Sequence, residues 1–221
     1  MAIPVWVRCS TVGDGIAETV RRDIAPLMQR FECQLFKVSR LGYDPYEQAF
    51  GFAGDLTPDD TVACTTEEEA LAAGAGWDGI CLSYKLLPLT SYLYVYVWRL
   101  EERTCVALQI DAGVLYFRSD EDSDGDWLER FLAAAAASLH VDACVYGTGY
   151  EVVYEPIDPA SVLRLIRDGT VMYRPYPSFH AVALAMISEA EVHQMLNTPG
   201  RPSPTRYTLT TSGYHVFSNL K

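Results

Sequence analysis

An α+β fold is predicted, a single domain over residues 1–221 whose largely antiparallel central sheet is flanked by about four to five helices. Three features predict it. Ser91-Tyr-Leu-Tyr-Val-Tyr-Val-Trp98 alternates without a break. Tyr92, Tyr94, Tyr96 and Trp98 point one way and Leu93, Val95 and Val97 the other, so both sides are bulky, which suits a strand covered on both faces. Strand-like and helix-like segments then follow one another in mixed rather than strictly alternating order. Finally, 221 residues that are 49% hydrophobic and 21% charged can fill a core and do not match a disordered composition.

The elements follow in order. Ile3 to Cys9 reads as the first strand. Gly13 or Asp14 is placed to cap a helix from Gly15 to Arg30, whose apolar positions Ile16, Val20, Ile24, Leu27 and Met28 keep helical spacing. Pro26 falls inside it, so a kink or restart is expected there. Cys33 to Val38 is the second strand, and Arg40 to Thr61 a long connection rich in Gly, Pro and Asp. Thr66-Glu-Glu-Glu69 is a capping box for a short helix ended by Gly74. Gly79 to Tyr84 leads into a meander of Ser91–Trp98, Thr104–Ile110 and Val114–Phe117. A helix is expected from Asp126 to about His140, then a hairpin of Val141–Tyr146 with Tyr150–Tyr154. Asp158-Pro159 opens a helix to Arg167, closed by Gly169. Val171–Tyr173 and His180–Ile187 read as strands, Ser188-Glu-Ala-Glu191 as a second capping box for a helix to Leu196, and Arg206–Thr211 with Tyr214–Phe217 as a closing hairpin turned at Ser212-Gly213.

The formal net charge is −12, which repels nucleic-acid phosphates and anionic membrane surfaces and favours a basic protein as partner. No apolar run approaches the ~20 residues that span a bilayer, and the N-terminus lacks a signal-peptide pattern. The six cysteines stand singly, with no Cys-x-x-Cys. They read as reduced, buried thiols in a cytoplasmic protein.

The sharpest local pattern is Asp120-Glu-Asp-Ser-Asp-Gly-Asp126. It resembles the calcium-binding loop of EF-hand proteins over these seven residues, which would make Asp120, Asp122 and Asp124 ligands. It departs from that loop where a bidentate Glu is wanted, at Phe131, and a strand precedes it. The plainer reading has the acids complementing the positive end of the following helix, and no metal or other cofactor is expected. Gly13-Asp-Gly15 resembles the opening of a dinucleotide-binding turn but has Glu18 in place of the third glycine, so a simple strand-to-helix turn is preferred. The catalytic candidates are His180, with Glu151 and Tyr173 near it and Cys144 as a possible opposing thiol, although a lone His at a strand end is more often structural.

Rings outside the regular elements say more about function. Tyr43-Asp44-Pro-Tyr46-Glu47, then Phe50 and Phe52, mix aromatics and acids in one connection, and Tyr173 to Phe179 is a second such segment. Rings anchor at little entropic cost, and acids steer a basic partner. The expected role is non-enzymatic binding of a basic protein, as an immunity or inhibitor protein does. The expected face is Tyr43, Asp44, Tyr46, Glu47 and Phe50 together with Asp120, Glu121, Asp122, Asp124 and Asp126. A small-molecule enzyme of hydrolase type, with His180, Glu151 and Tyr173 at its site, is the alternative.

Overall fold

The computed structural model describes residues 4–12, 15–44, 49–52, 60–86, 91–100, 102–111, 123–140, 142–147, 159–168, 178–200, 204 and 206–218. Helix and strand are mixed, as an α+β chain requires. The strands are β1 (Pro4–Val12), β2 (Cys33–Asp44), β3 (Ala49–Phe52), β4 (Thr61–Ala63), β5 (Gly79–Leu86), β6 (Ser91–Leu100), β7 (Arg103–Asp111), β8 (Ala143–Gly147), β9 (Ser178–Ala183), β10 (Arg206–Leu209) and β11 (Tyr214–Ser218). They form one sheet in the order β10-β11-β9-β8-β1-β7-β6-β5-β2-β3, with β4 also paired to β2. Every pairing among the described strands is antiparallel.

The alternating strand sits where its two apolar sides demand. As β6 it runs between β5 and β7 with unbroken registers, Ser83↔Tyr94 on one side and Tyr94↔Gln109 on the other. Leu93, Val95 and Val97 enter the largest core cluster, while Tyr96 and Trp98 join Leu41, Cys81, Cys105 and Ala107 on the opposite face. Counting antiparallel steps, β1 and β2 point the same way with three strands between them, as do β7 and β8 with β1 between them. Parallel partners need a crossover, and a helix supplies each one.

The first crossover shows how the chain accommodates Pro26. Helix α1 (Ile16–Thr19) passes into a π-helical turn (Val20–Ile24) and then α2 (Ala25–Arg30). Pro26 has no N–H for the carbonyl four residues back, and the widened turn just before it absorbs the mismatch without ending the helix. The helix N-cap is Gly15, with no side-chain cap bond; the expected caps Gly13 and Asp14 lie outside the described residues. Helix α3 (Glu67–Ala73) begins as expected, with Thr66 Oγ1 accepting from Glu69 N–H, but the Glu69 carboxylate reaches back to Thr65 N–H at 2.8 Å. The remaining helices are α4 (Ser123–Ser138), α5 (Pro159–Arg167) and α6 (Glu189–Leu196), the last capped by Ser188 Oγ. Residues of α1, the π-turn, α2, α3 and α4 share one apolar cluster with β5, β6 and β7; α5 and α6 share another with Ala143, Val182 and Phe217.

Several expectations change. The connection after Arg40 continues as strand through Asp44 and returns as β3, with Leu41↔Phe52 and Tyr43↔Phe50 in register. Its Gly- and Pro-rich composition hid a hairpin. Residues Val145 to Gly147 are paired on both edges, with β1 and with β9. A strand has only two edges, so these residues are not the hairpin partner of Tyr150–Tyr154, which lies outside the described residues, as do Val114–Phe117 and Val171–Tyr173. β9 stops at Ala183, where Leu184 N–H turns to Gly213 O, instead of running to Ile187.

Candidate functional site

Of the residues singled out for binding, Tyr43 and Asp44 end β2, Phe50 lies in β3, and Asp124 and Asp126 lie in the first turn of α4. Tyr46, Glu47, Asp120, Glu121 and Asp122 are outside the described residues, as are Glu151 and Tyr173. Because α4 begins at Ser123, Gly125 lies within a helical turn rather than at the sharp bend of a cation loop. Among the described residues no group of three or more His, Cys, Asp or Glu is placed to hold a metal ion.

The two acidic segments do not adjoin. Trp127, one residue past Asp126, packs edge-on against Phe31 with ring centroids 5.6 Å apart, and Phe31 lies two residues before the start of β2. Tyr43 lies at the other end of β2, ten residues beyond Cys33, a path of roughly 33 Å in an extended strand. The Tyr43–Phe52 hairpin and the start of α4 therefore sit at opposite ends of the sheet and bound separate surfaces.

Acidic groups outnumber basic ones at the hairpin end of the sheet, where Arg99, near the end of β6, is also exposed. There β1, β2 and β6 finish while β5, β7 and β8 begin. Glu18 follows β1, Asp78 precedes β5, Glu102 turns β6 into β7 and Asp142 precedes β8, and all four are exposed. Arg40 is neutralised by Asp60 at 3.6 Å. Edge strand β3 closes this end of the sheet order, and an edge strand is itself a surface on which another chain can pair.

A second feature lies along the outer flank of α4. A trough of about 740 Å³ runs past Trp127, Arg130, Ala133, Ala134 and Ala137. Arg30, Phe31 and Glu32 close it at the Trp127 end, and residues 208–212 of the β10–β11 hairpin form its wall. The hairpin is tied to α4 by Arg206 and Glu129 at 3.5 Å. Trp127 and Phe131 stack on one another in the core cluster, and the run of five alanines from Ala133 leaves the trough floor low.

On the sheet face opposite α1, α2 and α4, Tyr96 O–H donates to Gln109 Oε1 at 2.6 Å. Further along, Lys37 and Lys85 both place Nζ over the Phe36 ring, at 5.8 and 5.7 Å, beside Tyr92, which is 46% exposed.

Of the catalytic candidates, Cys144 lies in β8 opposite Ala181 of β9, the residue after His180. Burial pushes the thiols of Cys33 and Cys81 up to about 12 and that of Cys64 up to about 11, so none is a thiolate at neutral pH. His180, in β9, is 9% exposed. His215 is fully buried between Tyr207 O–H at Nδ1 and the Ile187 carbonyl at Nε2, both at 2.9 Å. Among the described residues no helix is long and apolar enough to cross a membrane. No known family model, curated protein or solved structure matches the chain, so its function has to be argued from these surfaces.

Proposed function

We propose that the chain is a non-enzymatic, cytoplasmic protein-binding protein acting as one domain, of the immunity or inhibitor kind. It would recognise a basic protein through the acidic end of its sheet. The observation that carries this reading is the gathering of exposed Glu18, Asp78, Glu102 and Asp142 at the same end as the Tyr43–Phe52 hairpin. Carboxylates strung along that row of strand ends, from β8 across to β5, steer a positively charged surface into place, and rings on the hairpin at its edge supply anchoring area once water is displaced. The face we propose narrows to Tyr43, Asp44, Tyr46, Glu47 and Phe50, because Asp124 and Asp126, in the first turn of α4, fall to the other end of the sheet; Asp120, Glu121 and Asp122 lie outside the described residues.

The enzyme alternative is supported less well. The ring of His180 is nearly closed to solvent, and burial raises the thiols of Cys33, Cys64 and Cys81.

The test is co-purification from the native host, followed by association kinetics with the basic protein recovered. Raising salt should slow association steeply while leaving dissociation nearly unchanged. Asp78→Lys with Glu102→Lys should lower the association rate about tenfold or more, and Tyr46→Ala should speed dissociation. Association indifferent to both salt and charge reversal would refute the reading.

A further inference from the structure

We propose that the trough along α4 is a docking site for an acidic α-helical segment of a partner protein. It is a second surface, of opposite charge to the acidic end of the sheet, and does not depend on it.

The shape comes first. The lining residues Trp127 and Ala137 are ten positions apart on one helix, so the trough is about 15 Å long, room for roughly three helical turns. Its floor, Ala133, Ala134 and Ala137, carries nothing beyond Cβ. A second helix laid along it can approach to the short end of the usual 8–10 Å interaxial range. At one end the floor finishes on the Phe31 and Trp127 rings, which pack edge-on at 5.6 Å. Such an edge is a fixed apolar stop for a Leu- or Met-sized side chain.

The charge comes second. In a chain of net charge −12, the trough carries Arg30 and Arg130 against the single acid Glu32. The Arg30 guanidinium rests 5.6 Å from the Phe31 ring centre, which fixes its position at the mouth without consuming its hydrogen-bond donors. The opposite wall carries the hydroxyls of Thr208, Thr210, Thr211 and Ser212; Thr210 and Ser212 share one hydrogen bond at 3.0 Å, which leaves one donor of that pair, with Thr208 and Thr211, to reach a carboxylate. A basic helix would meet like charge here. A helix with a small-residue or leucine stripe flanked by Glu matches the floor, the rim and the wall together.

The test uses three synthetic peptides of about four turns, alike in an Ala/Leu stripe and flanked by Glu, Gln or Lys, titrated into the whole protein and followed by amide chemical shifts. The Glu peptide should bind most tightly, with shifts confined to residues 30–32, 127–137 and 208–212. Ala133→Gln keeps a good helix former but raises the floor, and should weaken binding about tenfold or more while the far-ultraviolet spectrum stays unchanged. Arg30→Glu with Arg130→Glu should invert the preference toward the Lys peptide, and Asp78→Lys with Glu102→Lys should leave it unchanged. The proposal is overturned if no peptide binds by about 1 mM, if Glu and Lys peptides bind alike, or if Ala133→Gln has no effect. It is equally overturned if the protein dimerises through this surface and the Glu peptide fails to compete, since the occupant would then be a second copy.

Discussion

Replacing Tyr207 by Phe removes one oxygen and leaves almost everything else in place, which makes its effect calculable. The His215 ring is fully buried. Ile187 contributes a carbonyl, which can only accept, so Nε2 carries the proton and Nδ1 is left with a lone pair. Tyr207 O–H donates to that lone pair at 2.9 Å. Its own phenol is held protonated by a pKa raised first by burial and then by the nearby Glu189 carboxylate. Phe at 207 would keep the stacking on His215, with ring centroids 6.1 Å apart, and the tilted contact with Phe217 at 5.5 Å. What it loses is the donor that pairs with Nδ1. Swapping the tautomer does not help, because the bare Nε2 would then face the Ile187 carbonyl. An unsatisfied buried acceptor costs about 1–3 kcal/mol. In a chain of this size that is a fall in Tm of roughly 2–12 °C. Urea denaturation should show the midpoint lowered with the slope unchanged. A loss under about 0.5 kcal/mol, the scatter of an ordinary surface substitution, would mean that the tautomer assignment or the buried bond is wrong.

Gly79 starts β5 where the chain passes closely between two neighbours. A Cβ there would stand 3.0 Å from the Cβ atoms of both Leu41 and Trp98, which cannot swing aside. Gly79→Ala should therefore destabilise by about 1–3 kcal/mol in chemical denaturation, and an unchanged midpoint would contradict the packing. The raised thiol pKa values also have a signed consequence. Burial lifts Cys33 and Cys81 from 9.0 to about 12 and Cys64 to about 11, so the folded chain holds these protons more tightly than the unfolded one. That stability is fully present below about pH 9 and is lost as pH rises toward 11–12, the range given by these values. Native protein at pH 7 should label at the buried Cys64 and Cys81 with iodoacetamide only as fast as it unfolds; rapid labelling of these two would show them more open than described.

Local patterns were legible where one physical signal dominated. The two capping boxes, at Thr66 and Ser188, could be read because an N-cap hydroxyl and an acid three residues on act within a single turn. The two-sided strand at β6 could be read because period-two alternation needs no partner to be recognised. The β2–β3 hairpin was missed, since Gly- and Pro-rich composition argues for a loop until an edge supplies the hydrogen bonds. The first turn of α4 was also missed, because Ser123 to Asp126 are poor helix formers whose acids become favourable only at a helix start. The trough was invisible for a further reason: Ala133 and Ala137 are ordinary helix residues, and only the hairpin 208–212 beside them makes a wall.

By itself the sequence determined the class of fold, the strand with two apolar faces, the two helix starts marked by capping boxes and the acidity of the whole. These depend on interactions within about one helical turn or on a simple sum of charges. Only the tertiary structure decided that β1 lies between β7 and β8, and that Tyr43 and Asp126 stand at opposite ends of the sheet. It also decided that two arginines from distant parts of the chain rim the same alanine floor. Those outcomes follow from which strand edges pair across a hundred residues of chain, and periodicity along one segment carries no information about which edge its partner will take.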